Sequence, residues 1–360
     1  MALHALGDED QGGTDEDERS REEAPAVTQV ALCVAGVEVV DPVLLPGHQT
    51  ERPEEAETPD RARVRVPLSL PAPFGARRYS TGPSLTGGCA VPMSHVNGTD
   101  LYYEDTGAGL PILFVHGMCG NANVWDGQVA RLSDTFRCVT YDRRGHTRSP
   151  LGDVAQRTVE LHADDAAALI GALSLAPCIL VGSSGGARIG VDLVRRYSHL
   201  FRAAVLSEPP IFGLDPENGG PGILRDLQPK IQASVAAGGL PAAVDAFFDY
   251  MCPGLWSRLD EAGKEPYRAN CAELLPDLQM PPYQIGPADL RRITTMTTMV
   301  AGTTSLPTLQ RVARVIADGL PNGRLVTLAS SGRMPHNPST DLAADYQQEI
   351  DISCFTRSAR

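Results

Sequence analysis

A short apolar run, Ile179-Leu-Val, leads directly into Gly182-Ser-Ser-Gly-Gly186 and then into a segment with helical character. A Gly-x-Ser-x-Gly between strand and helix sets its central serine, here Ser184, on a sharp turn that lifts the hydroxyl clear of the backbone. The same turn aims the following N–H at a developing oxyanion, and the flanking glycines leave room for the crowding. This spacing points to nucleophilic attack on a carbonyl, with Ser184 as nucleophile and Ser183 as the variable position. Such a serine needs a general base, and the base needs a carboxylate to hold its tautomer.

The elements that must carry this turn alternate. Asn97-Gly98 joins two short strands near Met93. Apolar runs predict strands at Pro111–His116, Phe136–Tyr141, Cys178–Gly182 and Ala203–Ser207. Helical patterns predict Asn123–Leu132, Val159–Leu175 and Ala187–Tyr197 between and after them. This order implies an α/β fold, a mostly parallel sheet with helices on both faces. The alternation lapses from Ile211 to about Arg291, where helical patches (Gly222–Ala237, Pro241–Tyr250, Tyr267–Leu275) are separated by Pro and Gly. It returns with strand Thr297–Ala301, helix Leu306–Leu320, strand Arg324–Leu328 and a last helix from about Thr340. The expected division is a core of residues 93–210 and 292–356 with a helical lid, 211–291, over the strand ends where ligands sit in such sheets.

Three landmarks follow successive strands: His116-Gly117-Met118, Tyr141-Asp-Arg-Arg-Gly-His-Thr-Arg-Ser149 and Gly182-Ser-Ser-Gly-Gly186. Together they resemble the α/β-hydrolase fold family from roughly Val91 to Ile350. The resemblance implies an oxyanion hole from the backbone N–H groups of Met118 and Gly185, two fixed donors in a dry pocket. His116, Gly117 and Arg333 are the expected substrate contacts. Arg143, Arg144 and His146 are expected to fix the loop after their strand.

The chain departs from the family after its last strand. The family pattern there is a glycine followed by the catalytic histidine, but this chain reads Ser331-Gly-Arg-Met-Pro-His336. The guanidinium of Arg333 stays protonated and cannot act as a general base. His336, three residues on, is the candidate base, with His146 and His116 as weaker substitutes and an impaired site as the competing reading. The resemblance implies an acid in the loop after Val300, which here holds no carboxylate; Glu208, in the Glu-Pro-Pro run after the sixth strand, is the alternative candidate acid, with a carboxylate capping the entry to the lid as the competing reading. That run resembles one serine hydrolase branch.

The resemblance therefore implies a serine hydrolase of a small ester, lactone, thioester or similar acyl compound, acting through an acyl-enzyme. Two alternatives stay open: a lyase, perhydrolase or cofactor-free oxygenase on the same scaffold, or a ligand-binding relative that has lost turnover because of Arg333.

Composition bounds the rest. The 360 residues are 42% hydrophobic, and the net charge of −13 argues against a nucleic-acid surface. Eight cysteines show no C-x-x-C spacing, so buried reduced thiols are expected and no metal. No phosphate loop or dinucleotide fingerprint is present, so no cofactor is implied. Residues 1–92, rich in charge, Pro and Gly, are expected to be disordered, with a transient strand near Val30–Val40. Met93 is a candidate true start. The apolar run Val27–Leu45 is broken by Glu38 and Asp41, so neither signal peptide nor membrane span is expected. The expectation is a cytoplasmic protein with a small-molecule substrate, and a homodimer stays open.

Overall fold

The computed structural model describes residues 91–217, 220 and 222–328. The disorder expected over 1–92 and the last helix from Thr340 thus lie outside the described residues, Val91 and Pro92 apart. So do Arg333 and His336. From Met93 the described chain belongs to one unit; of a second grouping, 38–92, only the exposed Val91 and Pro92 are described.

Eight described strands form one sheet: β1 (Met93–Val96), β2 (Thr99–Thr106), β3 (Leu110–Val115), β4 (Phe136–Tyr141), β5 (Cys178–Ser183), β6 (Phe201–Ser207), β7 (Met296–Gly302) and β8 (Gly323–Leu328). Their spatial order is β1-β2-β4-β3-β5-β6-β7-β8. The β1–β2 and β2–β4 pairs are antiparallel and the others parallel. The strands were legible because both faces are buried. Ile112 and Phe114 of β3 join Ile179 and Val181 of β5 on one face, against Trp125 and Leu132. Leu113, Val115 and Leu180 point to the other, the period-2 alternation of a strand packed on both sides.

Helix α1 (Asp126–Leu132) lies on the first face; α2 (Val159–Ala172), α3 (Gly185–Arg196) and α8 (Pro307–Gly319) cover the second. Thr158 caps α2, its hydroxyl accepting from Leu161 N at 3.0 Å. Cys119, Cys138 and Cys178 are buried thiols, and burial pushes Cys138 and Cys178 up to about 12.

Between β6 and β7 the chain builds a helical insertion with α4 (Gly222–Met251), α5 (Glu261–Arg268), α6 (Leu274–Leu278) and α7 (Pro287–Leu290). Helix α4 contains the two expected patches, joined through Gly239 at φ 75, which breaks the helix two residues before Pro241. The expected helix Tyr267–Leu275 is corrected: its residues fall on the end of α5, a short 3₁₀ turn and the start of α6. The missed signal was Asp260, whose carboxylate accepts from Gly263 N at 2.8 Å and starts α5 earlier, in a polar stretch without an apolar stripe. The insertion has its own core, where Phe248 stacks on Trp256 at 4.6 Å and Tyr267 meets both rings edge-on. That core continues onto Cys119 and Leu309, seating the insertion on the loop after β3 and on α8.

Candidate functional site

The turn after β5 is built by two close approaches. A side chain at Gly186 would strike Val115 O, and one at Gly182 would lie 2.8 Å from Gly186 O. The backbones can meet there only without a Cβ. Between them Ser184 takes φ 55 and ψ −118, and α3 begins at its next residue, two positions before the expected start. A non-glycine residue in that region stores about 1–3 kcal/mol of strain. The turn is anchored where Ser184 N donates to Ser207 O (2.8 Å) and Ser184 O accepts from Arg188 N (3.0 Å).

The loop after β3 lies against this turn. A Cβ on Gly117 would sit 3.2 Å from Ser184 Cβ and 3.5 Å from its Oγ. A Cβ on Gly185 would sit 3.6 Å from Met118 N, so the two expected oxyanion donors are neighbours. Gly185 opens α3, where an N–H has no intrahelical acceptor.

The Gly117 carbonyl accepts from His116 Nδ1 (2.8 Å), Arg143 Nη2 (3.2 Å) and Gly120 N (3.4 Å). A trans peptide holds C=O and N–H on opposite sides, so fixing Gly117 O fixes the direction of Met118 N–H.

His116, an expected substrate contact, is placed behind the loop that carries Gly117 and Met118. Its ring is fully buried and lines neither cavity at Ser184. Nδ1 donates to Gly117 O, and Nε2 accepts from Arg143 N at 3.0 Å. Those partners assign the neutral tautomer, and burial followed by the Arg143 charge holds the ring well below the usual histidine range. His116 thus ties the loop after β3 to the loop after β4.

Of the three residues expected to fix that loop, Arg144 does so: it grips Asp165 of α2 bidentately at 2.6 and 2.7 Å and donates to Asn97 O at 2.7 Å. Arg143 does more. Buried to 1% exposure, it donates to Asp277 Oδ2 of α6 at 2.8 Å, to His146 Nε2 at 2.9 Å and to His162 Nε2 at 3.3 Å. Burial alone would raise the Asp277 carboxyl, but the adjacent guanidinium offsets this and holds it well below the usual carboxylate range. His146 is buried between Arg144 O, 3.1 Å from its Nδ1, and Arg143 Nη2, 2.9 Å from its Nε2. Among the described residues no cluster of His, Cys, Asp or Glu is placed to hold a metal ion.

Glu208, at the end of β6, is buried with φ 48, and its Oε1 accepts from Gly302 N at 2.8 Å. It stands at the carboxyl edge of the sheet, on the strand next to the one that carries Ser184. His336 and Arg333 lie outside the described residues.

Ser184, Gly185 and Met118 open into a cavity of about 340 Å³. Leu227, Phe247 and Met251 of α4 and Leu278 of α6 cover it, and Arg143, Arg188 and Asp277 are its charged lining among the described residues. A larger recess, near 750 Å³, lies by His199, Arg202 and Asn322 at the opposite ends of the strands, away from any of these groups. Sequence reasoning missed Arg188 and Asp277. Arg188 had a signal, since it stands one helical turn after Ser184 and must share its face.

A profile of the alpha/beta hydrolase family matches residues 112–345. The chain is 38% identical over 120 residues to an uncharacterized hydrolase, YraK, of Bacillus subtilis, which covers 33% of this chain and 44% of the relative. It is 37% identical over 105 residues to a 2-(acetamidomethylene)succinate hydrolase of Mesorhizobium japonicum, covering 29% and 37%. With a non-heme chloroperoxidase of Streptomyces lividans it shares 31% identity over 146 residues, covering 39% and 52%. The chain therefore spans about half the length of these relatives or less. A solved alpha/beta hydrolase from Sphaerobacter thermophilus superposes with a TM-score of 0.59 at 25% identity, covering 73% of this chain and all (100%) of that one. A thermophilic esterase from Thermogutta terrifontis does so at 0.57 and 21% identity, covering 74% and 98%. The profile crosses the sheet from β3 onward and takes in the turn at Ser184, and with the strand order it places the chain in the alpha/beta hydrolase family.

Proposed function

We propose that the chain is a serine hydrolase of small acyl compounds, an ester, lactone or thioester, working through an acyl-enzyme. The observation that carries this reading is the strained backbone of Ser184, φ 55, held beside Met118 N and Gly185 at the floor of a covered cavity. Relatives named as hydrolases support the reaction class.

In this reading Ser184 Oγ attacks the acyl carbon as its proton passes to His336, oriented by Glu208. The carbonyl electrons move onto oxygen, which Met118 N–H and Gly185 N–H stabilise; losing one such donor costs about 3–4 kcal/mol. Collapse expels the leaving group, which takes the proton back from His336, and water repeats the sequence on the acyl-enzyme. The helical insertion is the lid, its apolar side chains keeping water from the oxyanion.

Labelling with a fluorophosphonate tests the reading: mass spectrometry should find one adduct, on Ser184, absent in Ser184→Ala. An unlabelled native chain sinks it. The relatives named as haloperoxidases favour one second reading, perhydrolysis, in which peroxide replaces water at the acyl-enzyme. Peracid formation from acetate and hydrogen peroxide, lost in Ser184→Ala, is its signature.

A further inference from the structure

We infer that Arg143 is a positioning residue for the oxyanion donor at Met118, and that Asp277 of the insertion holds it in place. This rests on the serine hydrolase reading and adds how one of its two donors is set. Three groups donate to Gly117 O, the carbonyl of the peptide that carries Met118 N–H: His116 Nδ1 at 2.8 Å, Arg143 Nη2 at 3.2 Å and Gly120 N at 3.4 Å. Two of the three run through Arg143. Its backbone N–H donates to His116 Nε2 at 3.0 Å and so keeps the His116 proton on Nδ1, while its side chain supplies the charged donor.

A cation at that carbonyl does more than fix a direction. Peptide resonance couples oxygen to nitrogen, so a charge-assisted bond at Gly117 O draws density from Met118 N and makes its N–H a stronger donor. The guanidinium is buried, where its field is weakly screened. Sitting there leaves Nε buried without an acceptor, a cost that optimal bonding of the side chain alone would avoid. Nor does stability call for the charge, since a buried ion pair often adds little over apolar side chains. Two Nη2 hydrogens serve three acceptors: Asp277 Oδ2 at 2.8 Å, His146 Nε2 at 2.9 Å and Gly117 O. Asp277 is the charged one and the nearest, so it decides where the fork rests.

The test uses the double variant Arg143→Met/Asp277→Leu, which removes the charge without leaving either partner buried alone. On para-nitrophenyl acetate its kcat should fall about ten- to hundredfold with KM within about twofold of native, the scale of a misplaced or weakened oxyanion donor. A trifluoromethyl ketone, whose adduct on Ser184 carries the oxyanion, should lose affinity by the same factor. Arg143→Lys, which keeps a charge, should retain part of both. Arg143→Gln, with most of the volume and a neutral donor, repeats the comparison if the double variant does not fold. An unchanged kcat overturns the inference, and so does a raised KM at unchanged kcat, which would make Arg143 a substrate contact. A native chain that cleaves no ester fells the hydrolase reading instead. The amide proton resonance of Met118 then decides the positioning role alone: it should move upfield when the charge is removed, and an unmoved resonance overturns it.

Discussion

Asp277 Oδ2 on the inserted helix α6 lies 2.8 Å from Arg143 Nη2 in the loop after β4, and both side chains are sealed from solvent. The same Nη2 donates to Gly117 O, one peptide bond from the amide of Met118. A carboxylate from the insertion is thereby linked, through one guanidinium, to the segment expected to hold the oxyanion. Arg157 extends the link, reaching Glu273 at 2.6 Å and Asp277 at 3.4 Å.

Removing one partner of this pair should cost more than removing both. Asp277→Leu leaves a buried guanidinium uncompensated, a loss of about 3–5 kcal/mol, whereas replacing a whole buried pair with apolar residues is often near neutral. Urea denaturation of Asp277→Leu, Arg143→Met and the double variant measures the coupling. A double variant as unstable as the sum of the singles would mean that the two side chains act independently.

Stability should fall with acid in two stages. His116 and His162 are buried, and desolvation followed by the Arg143 charge depresses both below the usual value of 6.5. The unfolded chain binds their protons first, so stability drops as pH falls below about 6.5, by up to about 1.4 kcal/mol per pH unit for each ring. The Asp277 carboxyl is also depressed, so its contribution is present above about pH 3.9 and is lost as pH falls further through its folded value. Urea midpoints across pH 7 to about 3 should show both limbs. His162→Gln, which keeps an acceptor for Arg143, should shallow the first, and Asp277→Asn should remove most of the second.

The sheet was readable because β3 and β5 are apolar runs and the other parallel strands keep apolar residues at half or more of their positions, and Ser184 because a glycine-flanked serine after such a run has few other uses. The Arg143–Asp277 pair joins residues 134 apart, and nothing local marks which carboxylate a buried arginine will meet. Two further positions break local rules. Thr147 is β-branched yet sits at φ 44, its hydroxyl donating to Asn270 Oδ1 of the insertion at 2.6 Å. Glu208 takes φ 48 at the end of β6. Propensity assigns neither conformation; tertiary contacts hold them.

The glycines of the turn should separate by the space around them. Gly186→Ala drives a methyl into Val115 O, and the chain should fail to fold or melt far lower. Gly185→Ala meets nothing nearer than Met118 N at 3.6 Å, so its melting temperature should stay within a few degrees of native. Gly117→Ala places its methyl 3.2 Å from Ser184 Cβ, and should reduce kcat and fluorophosphonate labelling more than stability. Calorimetry beside labelling rates checks all three, and equal melting temperatures for Gly185→Ala and Gly186→Ala would show that the backbone at Gly186 yields to a methyl group.

Variants at His336, Glu208 and Arg333 should identify the base. If His336 accepts the Ser184 proton, His336→Ala should lower kcat by about 10³-fold or more, and Glu208→Gln should lower it by about 10⁴-fold, the scale of losing the group that holds a base's tautomer. Arg333→His should then bring no gain, because the second imidazole finds the role already filled. A chain inactive as it stands but raised by orders of magnitude in Arg333→His would reverse the assignment. Arg333 would then have replaced a working base, and the cavity above Ser184 would serve binding in place of turnover. Ester hydrolysis by the three variants and the native chain, normalised to the fraction folded, separates the two outcomes. Glu208→Gln also perturbs the acceptor held by Gly302 N, so its melting temperature must accompany its rate.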